Sequence, residues 1–342
     1  MGPTEAREII ARLVPPSTVD RAGWAADVYA ALATLELPAT AENLCAVLAV
    51  TEQESGFRAD PTVPGLPAIA WKEIDRRADG VGVPKIAVRA ALALPSPDGR
   101  SYADRIDAVK TEQQLSEIFE DFIGMVPLGK TFFASWNPVR TGGPMQVSIA
   151  FAETYAQARP YPYSVRESVR REVFTRRGGL YFGTAHLLAY EATYDKLLYR
   201  FADFNAGQYA SRNAAFQSAL SVASGLPVTL DGDLLPRANN APRGETERAA
   251  YSIAGRLGLS ESAIRRDLER GDDNGFEKTA LHERAFAYAE QLDKRTLPRA
   301  VVPRIDLQSP KFTRKLTTDW FAKRVDERFR RCLARIATTS GD

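Results

Sequence analysis

Apolar residues recur at helical spacing in segment after segment of this chain, and strand-like alternation is scarce. Such a period puts one apolar stripe on each helix, which must be buried against other helices, so the pattern predicts an all-α fold. Residues 22–36 ("AGWAADVYAALATLE") show it plainly, with Pro38 just beyond. Thr40 can cap the next helix, with Glu42 in its first turn and Gly56 to end it. Further helices are expected at 66–78, 84–94, 112–124, 145–158, 165–175, 182–200 and 208–222. Later ones are expected at 245–257, 260–270, 277–293 and 311–336. Pro and Gly cluster at 61–68, 137–144 and 225–244; the last stretch carries no period and is expected to be a linker.

With 342 residues the chain has room for one large domain or two ordinary ones. A hydrophobic share of 44% and a charged share of 26% describe an ordinary globular protein. A net charge of +2 gives no reason to expect a polyanion, and no nucleic-acid partner is expected. No apolar run approaches the ~18 residues of a membrane span. The opening "MGPTEAREII" lacks the pattern of an export signal, so any such signal or lipid anchor is expected to lie outside this chain. Cys45 and Cys332 have no metal-like spacing and can form at most one disulfide; Cys45, inside an apolar helix, is expected to be an inert buried thiol.

The sharpest chemical feature is "AVLAVTEQESGF", residues 46–57, an apolar helix that ends in two carboxylates. A carboxylate near a core is costly unless it is paired, neutralised or used. Glu54 continues the Val47/Val50 stripe, whereas Glu52 falls on the Cys45/Leu48 face. Burial and the negative end of the helix dipole both favour the protonated acid, the state a general acid needs. Glu52 is expected to be a paired neighbour; with Asp60 and Asp203 it is a candidate second carboxylate only for a hydrolytic mechanism.

"ESGF" at 54–57 resembles the catalytic signature of the lysozyme-like lytic transglycosylases of the soluble type. "GGPMQVS" (142–148) resembles that family's Gly-x-Met-Gln motif, and "FADFNAG" (201–207) its Ala-x-Tyr-Asn-Ala-Gly motif, in the same order. "REVFTRRGGLYFGTAHLL" also resembles proteobacterial lipoproteins of unassigned function. The resemblance implies an all-α, lysozyme-like domain over 22–225, after an N-terminal segment (1–21) and before a C-terminal helical extension (226–342). Residues 61–140 are then an insertion, because about ninety residues separate Glu54 from Gln146 where the family has a short connection.

The activity implied is lytic transglycosylation, a carbon–oxygen lyase reaction that cuts peptidoglycan between muramic acid and glucosamine without water. Carried over by position, Glu54 is the single acid/base. Ser55, Met145, Gln146, Phe204, Asn205 and Gly207 are the residues expected at the substrate, with Asn205 to Gly207 forming a turn beside the acid. No metal and no cofactor are implied. The partner implied is the glycan strand, and the place the periplasm, with attachment to the outer membrane through a lipid anchor as a more specific form. Phe204 stands where the family has tyrosine, so a hydroxyl that orients the acid is absent; Tyr181, Tyr190, Tyr194 and Tyr209 are candidates to replace it. That loss defines the main alternative, a catalytically silent peptidoglycan-binding scaffold. A hydrolytic muramidase and a DNA-binding protein are further alternatives, the latter because "IAGRLGLSESAIRRDLERG" (253–271) has the spacing of a helix-turn-helix.

Several weaker signals have plain structural explanations. The arginines 166, 170, 171, 176 and 177 are expected on a solvated, partly paired face. "DGDLL" and "DDNG" hint at calcium but are expected to be turns. His186 is expected to face the core and His282 to lie on a surface helix; Trp136 suits either a sugar platform or a core position beneath a loop.

Overall fold

A computed structural model of the chain describes residues 1–342 apart from 126, 127, 129, 130, 132, 160, 166, 237–240, 308–315 and 340–342. The fold is predominantly helical, and the strands among the described residues are two short antiparallel ladders. The described chain divides into two compact units: one of residues 1–39 and 51–184, the other of residues 40–50, 185–307 and 316–339. Residues 22–225 contribute to both.

In the first unit, helices Pro3–Leu13 and Arg21–Thr34 bury Ile10, Trp24, Val28 and Leu32. Asp20 caps the second of these by accepting from the Gly23 amide at 3.0 Å. The expected insertion is a group of helices, Leu66–Gly80, Lys85–Leu92, Tyr102–Ala108 and Glu112–Gly124. Its base is tied by the bridge Thr62↔Thr111 and by the Val63 amide donating to the Lys110 carbonyl at 2.9 Å. The helix at Tyr102–Ala108 escapes the sequence pattern because seven residues are too few to establish a period. The expected helix over 145–158 starts only at Ile149; residues 147–148 pair instead with 141–142 in a ladder. Ser148 then caps the helix Ile149–Ala158 by accepting from the Phe151 amide at 3.3 Å.

In the second unit, helix Leu197–Ala206 packs on helix Thr318–Thr339, with the Phe201 and Phe329 rings 5.6 Å apart. Helix Ala210–Ser224 packs on helix Ala280–Asp293 around Phe216, Phe276 and Phe286. The stretch expected as a linker contributes Val228 and Leu234 to that core. Its described residues pack as irregular chain, which is why it carries no period; Asp231 there and Asp273 in "DDNG" accept from backbone amides within turns.

The helix expected over 182–200 is two, Arg176–Leu188 and Leu197–Ala206. At the break, Arg200 donates to the carbonyls of Leu187 (3.4 Å) and Tyr190 (3.1 Å), and Gln208 to that of His186 (3.0 Å). Side chains distant in sequence thus satisfy carbonyls that a continuous helix would have paired itself. The two cysteines are also not as expected: Cys45 is bonded to Cys332 across 287 residues, Cα to Cα 5.6 Å, and is no free thiol. An amphipathic helix 287 residues away is needed to bring the second sulfur, and no local pattern announces it.

Candidate functional site

The helix Ala41–Glu54 stops where "ESGF" begins. The Ser55 and Gly56 amides donate to the carbonyls of Thr51 (3.1 Å) and Glu52 (3.2 Å), and the chain then passes through left-handed φ at both Gly56 (+58°) and Phe57 (+61°). Glycine adopts that conformation freely; for phenylalanine it costs about 1–2 kcal/mol. The cost is offset by burial of the Phe57 ring edge-on to Trp24, centroids 5.4 Å apart. Ser55 is buried, its hydroxyl donating to the Thr51 carbonyl (3.1 Å) and accepting from the Arg58 amide (3.3 Å). Its hydroxyl is engaged in shaping the turn. Glu54 and Glu52 are half-buried at the helix end, beside this fixed turn.

The "GGPMQ" segment is the turn of the hairpin, with Thr141↔Ser148 and Gly142↔Val147 paired and the Gln146 amide donating to the Gly143 carbonyl at 3.1 Å. Gly142 and Gly143 are glycines for a spatial reason. A Cβ on Gly142 would lie 2.3 Å from the Phe174 ring, and one on Gly143, at φ +74°, 2.0 Å from the Val173 carbonyl oxygen. Met145 is 0% exposed and fills the space left by Gly183, where a Cβ would meet its sulfur at 2.5 Å. It is therefore a buried pin. Gln146, half-buried at φ +49°, accepts from Thr141 Oγ1 and donates to the Gly143 carbonyl, both at 3.3 Å.

Helix Arg176–Leu188 links the two motifs. At its start the Arg176 guanidinium lies 5.7 Å from the centroid of Trp24, the ring that holds Phe57, and pairs with Asp27 (2.5 Å) and Asp20 (2.7 Å). Further along, Gly183 receives Met145. Arg170, Arg171 and Arg177 are likewise engaged, with Val139, Glu120 and Glu172 respectively; Arg166 lies outside the described residues. Trp136 is 45% exposed and 5.8 Å edge-on to Phe133, which excludes the core position.

The third motif belongs to the second unit. Asn205 and Ala206 are the end of helix Leu197–Ala206 and not a separate turn; Gly207, at φ +116°, closes it. Asn205 is exposed, and its Oδ1 accepts from the Thr318 hydroxyl at 3.0 Å. Phe204 is buried against the His186 ring, 5.2 Å between centroids, and burial pushes that imidazole down to about 4. Of the candidate replacement hydroxyls, Tyr190 and Tyr194 both donate to Asp203 Oδ2, at 3.0 and 2.6 Å. Asp203 also accepts from the Tyr209 (3.1 Å) and Ser211 (2.7 Å) amides; it is 0% exposed, and burial pushes its carboxyl up against these four hydrogen bonds. This carboxyl group shapes the bend after Gly207, its oxygens engaged by two hydroxyls and two amides. Asp60 is half-buried, its carboxyl pushed up by burial against hydrogen bonds from Thr111 and Gln113.

The structure thus places Glu54, Ser55, Met145 and Gln146 in one unit and Phe204, Asn205 and Gly207 in the other. The helix-turn-helix stretch forms helices Ala254–Leu257 and Glu261–Leu268 about Gly258 (φ +63°). Arg265 of the second helix is paired with Glu247 and Glu269, and Ile264 and Leu268 are buried.

A family model described as "Protein of unknown function (DUF1615)" matches residues 17–335, a span that includes Glu54, both glycine turns and Cys332. The "Uncharacterized protein YaiW" of Escherichia coli (strain K12) is 55% identical over 325 residues, which cover 95% of this chain and 88% of that protein. No solved structure matches the chain. A match over nearly the whole length identifies this chain as a member of the DUF1615 family.

Proposed function

We propose that the protein is a peptidoglycan lytic transglycosylase with a lysozyme-like catalytic core, in which Glu54 is the only acid/base. The observation that carries this is the locked "ESGF" turn, which ends a buried helix and leaves Glu54 half-buried beside a frame fixed by Ser55 and Phe57. The same unit holds the Gln146 amide in a hairpin turn keyed to the same helix as that frame. Glu54 would protonate the glycosidic oxygen as the C1–O bond breaks, with the substrate's N-acetyl group supporting the positive centre. The resulting carboxylate would then take the proton of the muramic C6 hydroxyl as its oxygen closes on C1, giving a 1,6-anhydro end and regenerating the acid. Trp136, exposed in the first unit, is the proposed platform for a sugar face. The disulfide supports an envelope location, because such bonds persist in oxidising compartments.

A specific observation favours a second possibility, the silent glycan-binding scaffold. Phe204 brings no hydroxyl, and those of Tyr190 and Tyr194 are engaged with Asp203. One experiment separates the two. Purified sacculi are digested with the wild type and with Glu54→Gln, and the products are weighed by mass spectrometry. Lytic activity predicts anhydromuropeptides from the wild type and a loss of about 10²–10⁴-fold in the variant, the range for removing a general acid. Sacculus binding without products would establish the scaffold, and products heavier by one water would mean a hydrolase.

A further inference from the structure

In the second unit a cavity of about 460 Å³ is lined by Thr193, Glu277, His282, Glu283, Phe286 and Arg299. Its size falls in the range of ligand pockets, and its chemistry is unusual for idle surface. His282, expected from the sequence on a surface helix, is only 7% exposed, held among the rings of Phe216, Phe276 and Phe286. Its ring nitrogens have no hydrogen-bond partner among the described residues, although it lines the cavity. The ring is largely buried, but its nitrogens are not among the sealed-off polar atoms, so a partner for them comes from the cavity side.

The cavity's charges say what kind of partner. Neither Glu277 nor Glu283 is in an ion pair among the described residues; Glu277 accepts only the Thr193 hydroxyl, at 3.2 and 3.3 Å. Glu277 feels the charge of Arg212 and Glu283 is exposed, yet both carboxylates line the cavity and can accept from a cationic hydrogen-bond donor inside it. Arg299 uses one nitrogen for Glu290 (2.7 Å) and the Leu297 carbonyl (2.9 Å) while its plane covers Phe286 at 4.1 Å. Its Nε and Nη2 make no other bond among the described residues and are the natural place for an anionic group. Arg299 and Thr193 also line a neighbouring cavity of about 260 Å³ that continues past Tyr194 and Tyr199. The guanidinium is therefore reached from both cavities.

We propose that this cavity binds a short peptide with a free amino group, its ammonium between Glu277 and Glu283, an amide at His282 and its carboxylate at Arg299. The site is separate from Glu54 and does not depend on the proposed glycan chemistry. Its ligand chemistry has two sources, free peptides and peptides carried on the wall polymer.

The test is calorimetric titration of the full chain with three probes: alanyl-alanine, its N-acetyl form and its C-terminal amide. The free dipeptide should bind, and N-acetylation should weaken it by about tenfold or more, the loss of a charge-assisted contact. Glu277→Gln, and separately the exposed Glu283→Gln, should each shrink that discrimination while leaving the thermal melt in place. Glu54→Gln should bind as the wild type does. A muropeptide with a free stem amine serves as the fourth probe: binding of it marks the wall as a source, and binding of the dipeptide alone marks free peptides. The proposal falls if no probe binds, if the acetylated and free forms bind equally, or if folded Glu277→Gln and Glu283→Gln proteins both keep full discrimination.

Discussion

His282 and His186 are the two histidines of the chain, and both are held neutral by their surroundings. Burial, then Arg212 and Arg299, push His282 down to about 4; burial does the same for His186. An imidazole in the unfolded chain titrates near ~6.5. Between those values the unfolded chain carries a proton that the folded chain refuses. Stability is therefore full above ~6.5 and is lost as pH falls toward the folded values. From about pH 7 to about pH 5 the loss comes to about 2 kcal/mol for each histidine. Urea unfolding across that window should show the midpoint falling, and His282→Gln should remove about half of the fall. An identical pH slope in wild type and variant would mean that His282 is accessible to protons in the folded state.

At the scale of elements, the hairpin turn at 142–148 shows best what a motif is for. Four glycines facing it or within it, 142, 143, 179 and 183, are sites where a Cβ would collide with neighbouring chain or with Met145 and Pro144. Gly143→Ala combines left-handed backbone with a collision against the Val173 carbonyl, and should cost about 2–4 kcal/mol. Gly80→Ala, whose added Cβ meets nothing within 4 Å, is the control and should stay within about 0.5 kcal/mol. Equal denaturation midpoints for the two would show that the turn can slide off its helix. The sequence made most of the longer helices and the Gly-bearing turns legible, because period, caps and turn residues are local; helices Pro3–Leu13 and Tyr102–Ala108 are not among those expected. It hid what depends on distant partners: the break at 189–196 is closed by Arg200 and Gln208, and Asp203 is engaged by two tyrosines and two amides. Ser55 and Met145 are visible as motif letters, yet only packing reveals that they are buried supports, and His282 acquires its meaning from three phenylalanines far apart in sequence.

At the scale of the whole molecule, the bond between Cys45 and Cys332 closes nearly the entire chain into one loop. Within the second unit it fastens helix Thr318–Thr339 to the first part of helix Ala41–Glu54. Helix Thr318–Thr339 already buries Phe321, Ala322 and Val325, so the bond adds to a packed element and need not create one. Its chief effect is then on the unfolded chain, where the freedom removed grows with loop length; for a loop of 287 residues the chain-entropy relation gives about 5.7 kcal/mol. Reduction should lower the urea midpoint by an amount equivalent to about 3–5 kcal/mol. A Cys45→Ala/Cys332→Ala protein should match the reduced wild type and ignore the reductant. Equal midpoints for oxidised and reduced wild type would show that packing of the terminal helix alone determines its stability. The same dependence ties stability to redox conditions: the chain held in a reducing medium would be the less stable form, and thiol titration of the unreduced, denatured protein should find no free cysteine.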